Sequence, residues 1–124
     1  MAAKESGPDL PVVLVKWYEY TKWLMDRIDQ FPKNQRYLLG QRLADLALNI
    51  LELLVDASYA RQKVSQLEKA NRKMEVLRWL VRLAKDRNLL SSRQFEFSSR
   101  SLTECGKMVG GWLKSTRRRD DSES

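Results

Sequence analysis

Apolar positions recur at helical spacing in four stretches of the chain, and these set its organisation. The first, VVLVKWYEYTKWLMDRIDQF, lies between Pro11 and Pro32. Leu14, Trp17, Thr21, Leu24, Ile28 and Phe31 alternate at intervals of three and four, which places them on one helix face. Pro32 ends that helix because it lacks an amide hydrogen and clashes with the preceding turn. The second stretch, residues 34–59, opens at Asn34, a candidate N-cap. Its seam is Leu39, Leu43, Leu46, Ile50, Leu53 and Ala57, and a second apolar row of Ala44, Leu48, Leu51 and Val55 lies beside it. The two rows together are wider than the stripe that a helix of a small monomeric bundle buries. Leu48, Leu51 and Val55 are therefore candidates for an oligomer interface.

In the third stretch, residues 63–87, Leu67, Ala70, Met74, Leu77, Val81 and Ala84 follow a strict three-four alternation. Asn88 is a candidate C-terminal cap residue. The fourth stretch, residues 91–114, begins Ser-Ser-Arg-Gln, where Ser91 and Gln94 have the spacing of a capping box. Its buried face is marked by Phe95, Leu102, Cys105, Val109 and Trp112. Gly106, Gly110 and Gly111 weaken its end, and serve either close helix approach or fraying. Residues 1–10 and 115–124 are polar and predict flexible tails around one domain, 11–114. Four helices with short connections predict an all-α, up-down-up-down four-helix bundle.

Composition narrows the chemistry. With no His and one Cys among 124 residues, there is no imidazole base, no His-bearing metal site and no intrachain disulfide. Cys105 sits on the apolar face, which reads as a structural thiol rather than a nucleophile. No glycine-rich phosphate loop is present. These features predict a protein that is not an enzyme and uses no metal or cofactor. The first ten residues do not read as a signal peptide, and no apolar run is long enough to span a bilayer, so a cytoplasmic protein without a membrane partner is expected.

The net charge of +7 favours an anionic partner. Residues 61–87 hold nine Lys and Arg against three acids, so six of the seven net charges lie there. Arg78, Arg82 and Lys85 stand at i, i+4 and i+7, on one face, where they repel one another unless something anionic answers. A phosphate backbone, the acids of a protein partner, or solvent alone would each do so. Arg72 and Arg100 are further candidates. In the tail, Arg117, Arg118 and Arg119 are offset by Asp120, Asp121 and Glu123. Trp23 and Trp79 fall off the predicted core faces, where large aromatics mark interfaces.

The stretches PVVLVKWYEYTKWLMDRIDQFPKNQR, GQRLADLALNILELLVDA, EVLRWLVRLAKDRNLLSSRQFEF and ECGKMVGGWLK resemble the accessory variability determinant (Avd) family of diversity-generating retroelements. FPKNQR and LRWLVRLAKDR are the most specific parts. The resemblance implies a four-helix-bundle protomer of a barrel-like homopentamer with a basic surface. It implies as partners the element's reverse transcriptase and template RNA, with DNA as a further one, and a non-catalytic role in mutagenic retrohoming. The broader relatives, four-helix-bundle proteins encoded in ribosomal-RNA intervening sequences, leave open a protein-interaction adaptor with no direct nucleic-acid role.

Overall fold

The computed structural model describes residues 11–123; the tail expected over residues 1–10 lies outside them. Four long helices make up an all-α fold: α1 (Val12–Asp29), α2 (Gln41–Tyr59), α3 (Val64–Asp86) and α4 (Ser92–Glu123). No strand occurs among the described residues. A helical turn, Lys33–Gln35, and a π-helical turn, Arg36–Gly40, lead into α2. Helix α2 packs on α3, α3 on α4, and α1 on both α2 and α4.

The faces that meet in the core follow the spacing of the sequence most closely on α3, where all six predicted residues are buried. On α1 the seam from Trp17 to Phe31 is buried, but Val13 and Tyr20 join it and Leu14 stays at its edge. Helix α2 departs further. Its buried row is Leu43, Ala47, Ile50, Leu54 and Ala57, while Leu46 and Leu53 are half-buried. Trp17, whose indole is fully enclosed, meets this row: its Nε1 donates to the carbonyl of the fully buried Ala47 at 2.9 Å. On α4, Leu102, Cys105 and Val109 are buried as predicted, whereas Phe95 and Trp112 are half-buried and Ser98 is enclosed.

The helix ends show local chemistry at work. Ser91 Oγ accepts from the Gln94 amide at 3.1 Å, and Gln94 Oε1 accepts from the Ser91 amide at 2.9 Å, which is the reciprocal capping box. Asn88 has φ 65°, the left-handed conformation of a helix-terminating residue. Its amide donates to Lys85 and that of Leu89 donates to Ala84, the paired bonds of a Schellman motif. Asn34, by contrast, does not cap. The N-cap of its short turn is Pro32, with no side-chain bond. At the end of α2, Lys63 Nζ donates to the carbonyls of Ala57 and Ala60, satisfying groups that the helix leaves open.

Helix α4 continues to Glu123, past Lys114 where the apolar pattern fades. Thr116 is buried, and Arg117 is paired with Glu68 of α3. Residues 115–123 are thus helical in place of the tail that their polarity predicts. No helix among the described residues is long and apolar enough to cross a membrane.

The glycines divide sharply. A Cβ on Gly40 would lie 2.8 Å from Ile28 Cγ2, on a β-branched side chain with little freedom to move. A Cβ on Gly106, Gly110 or Gly111 would meet nothing within 4 Å, so these residues serve no close helix approach in the protomer. Gly110→Ala is therefore expected to raise stability by about 0.5–1 kcal/mol through helix propensity. Gly40→Ala is expected to lower it, because overpacking at about 1–3 kcal/mol exceeds that gain. Urea unfolding followed by circular dichroism reads both, and equal signs at the two sites would contradict the packing described.

Candidate nucleic-acid interface

Arg78, Arg82 and Lys85 share the flank of α3 that faces α4. Arg78 fixes this orientation: Nη1 donates to Thr103 Oγ1 of α4 at 3.3 Å, and Nε pairs with Glu75 at 3.5 Å. Arg82 Nε pairs with Asp86 at 3.4 Å. Lys85 is half-buried and has no ion-pair partner among the described residues. Both Arg pairs lie within a helix and are solvent-exposed, so they are weak and open to competition by a phosphate.

Helix α4 supplies a second row that the sequence analysis found only in part. Arg93, Arg100, Lys107 and Lys114 recur at intervals of seven and are all exposed. A seven-residue step returns within about 20° of the same helix face, so the four form one stripe some 30 Å long. Arg100 and Lys107 flank Thr103, the residue that Arg78 contacts, which sets the α4 stripe beside the α3 row. The missed signal was charge at heptad spacing in a stretch whose glycines and serines give weak apolar periodicity. The extension of α4 adds Arg118 near the same face, four residues after Lys114.

Arg72 is not part of this seam. It precedes Arg78 by six residues, about 120° away around α3, and shares its face with Trp79 seven residues on. Lys63 is committed to the end of α2.

The two unpaired tryptophans of the sequence have different fates. Trp23 is half-buried between α1 and α4, with the Phe97 ring at 4.7 Å and the Arg27 guanidinium at 5.9 Å from its own ring. Trp79 is 70% exposed. Of the second row on α2, Leu51 packs against the core while Leu48 and Val55 remain exposed.

The ionisable groups of the interior are built for structure. Tyr20 donates to or accepts from Ser98 Oγ at 2.7 Å, and burial, opposed by that bond, raises its hydroxyl pKa well above the ordinary value. Burial likewise pushes the Cys105 thiol up to about 11, with the Glu104 carboxylate adding to the effect and Lys16 opposing it. At neutral pH that thiol is protonated, which removes the nucleophilic form.

The model of one protein family, described as bAvd-like, matches residues 12–116, which spans all four helices up to the first turn beyond Lys114. No curated protein matches the chain.

Proposed function

Because the chain belongs to the bAvd-like family, we propose that it is a non-catalytic accessory protein of a diversity-generating retroelement. In this reading the helices form an up-down-up-down bundle. Rising residue numbers on α3 meet falling ones on α4 in the Arg78–Thr103 and Glu68–Arg117 contacts, and Lys16–Glu104 and Tyr20–Ser98 do the same for α1 and α4, which supports that order. The bundles assemble as a barrel-like homopentamer in the cytoplasm, with the exposed Leu48 and Val55 among the contacts between copies. The assembly holds the element's reverse transcriptase on template RNA, and on the complementary DNA copied from it. The observation that carries this reading is the α3–α4 seam, where two rows of cations lie side by side and the acids that meet Arg78 and Arg82 do so in exposed pairs.

The test uses the purified chain with labelled template RNA and, separately, with the transcriptase encoded beside it. RNA affinity is expected to fall steeply as salt rises, because bound phosphates release counterions. Affinity that ignores salt would sink the electrostatic account, and a monomer by light scattering at micromolar concentration would sink the ring. A second reading, a protein-interaction adaptor with no nucleic-acid role, draws on the carboxylates already beside Arg78 and Arg82. Arg78→Glu with Arg82→Glu separates the two. Lost RNA binding with transcriptase binding intact favours the scaffold, and the reverse favours the adaptor.

A further inference from the structure

We propose that the groove between α2 and α3 docks an amphipathic helix of a protein partner, one that carries carboxylates along the edges of its apolar stripe. The proposal rests on the function above, in which the chain holds a protein and an RNA together, and it assigns the protein to a surface of its own.

The groove is lined by Leu38 on the turn leading into α2, Arg42 on α2, and Leu80, Leu83 and Arg87 on α3. Leu38 is 66% exposed and Leu83 45%. Val76 and Trp79 extend the apolar row along α3 at three-four spacing, and both are exposed. From Val76 to Arg87 the row runs about 16 Å, or three turns. A furrow of this kind between two packed helices accepts the ridge of a third. Tryptophan and arginine are among the residues most often found where such contacts are strong.

Charge identifies the occupant. No carboxylate is among the residues lining the groove where Leu38 and Arg42 face Leu80, Leu83 and Arg87. Arg42 and Arg87 have no ion-pair partner among the described residues. A helix with acids flanking its apolar stripe answers both cations while covering the leucines. The RNA is kept elsewhere: Leu83 lies about 140° around α3 from Arg78.

The experiment uses the full chain carrying Leu38→Ser with Leu83→Ser, Arg42→Glu with Arg87→Glu, or Arg42→Lys with Arg87→Lys. All four positions of change are exposed, and circular dichroism checks that each variant folds. Affinity for the transcriptase is expected to fall about tenfold or more in the serine and glutamate variants and to be largely kept in the lysine variant. RNA affinity of the serine variant is expected to stay within about threefold of wild type. The proposal is overturned if the serine variant binds transcriptase as wild type does, if it loses RNA instead, or if it loses assembly mass by light scattering, which assigns the groove to a second copy. A wild-type chain that ignores the transcriptase defeats the proposed function and the groove with it; a groove variant that still binds defeats the groove alone.

Discussion

Trp17→Ala is expected to remove about 3–5 kcal/mol of folding stability, the cost of deleting a large enclosed aromatic. Set against a total of roughly 5–15 kcal/mol for a domain, that loss is a large share of the folding stability. The indole is fully enclosed, touches Tyr20 at a ring distance of 5.1 Å, and ties α1 to α2 through Nε1 and the Ala47 carbonyl. Trp17→Phe separates the two contributions. It keeps most of the apolar contact and removes the donor, so about 1–2 kcal/mol is expected from the lost hydrogen bond and the smaller ring. Ala47→Leu is expected to be destabilising as well, by about 1–3 kcal/mol, because Ala47 is fully buried and the added side chain overpacks the core. Urea denaturation followed at 222 nm in the far ultraviolet measures all three. A Trp17→Ala variant within about 1 kcal/mol of wild type would mean that the ring does not hold α1 and α2 together.

The same residue shows what could and could not be read before the fold was known. Spacing placed Trp17 on the buried face of α1, and strict alternation placed the whole α3 seam, because a helix that buries one face leaves a period in its sequence. Spacing could not reveal that the row on α2 bends towards Ala47. That depends on how α1 and α3 pack across α2, and a pattern weighted by apolar size prefers Leu46. The π-helical turn at Arg36–Gly40 and the close approach of Gly40 to Ile28 are likewise tertiary facts without a local signature. Capping was legible at Ser91 and Asn88, where the side chain or the left-handed backbone acts on its own helix end. Asn34 has the residue type of a cap but not the position, because Pro32 starts the turn first. Residues 115–123, whose polarity predicts a tail, are helical for a related reason. The buried Thr116 and the pairing of Arg117 with Glu68 of α3 hold a helix end whose own sequence is too polar to announce itself. For the site, the α3 row was legible because three cations crowd one face in a strongly basic segment. The α4 stripe was not, because its members are seven residues apart and its acids mask the count.

Replacing Arg100, Lys107 and Lys114 together by Gln is expected to weaken RNA binding about 100-fold at 0.1 M salt while leaving the fold intact. The size follows from counterion release. Each phosphate contact on a single strand contributes a slope of about 0.7 in log affinity against log salt, so three lost contacts reduce the slope by about 2. Two decades of affinity at 0.1 M follow from that slope, and the difference closes towards 1 M salt. The three side chains are exposed and make no ion pair among the described residues, so little folding energy is at stake. Arg72→Gln lies on the other face of α3 and is expected to change the slope by less than one contact, about 0.7. Stoichiometry sharpens the reading: in an assembly of several copies the slope counts contacts over all copies that one RNA spans, so a change larger than 2 reports a strand crossing more than one protomer. An unchanged slope in the triple variant, with the Arg72 variant weakened instead, would move the RNA from the α3–α4 seam to the face that bears Trp79.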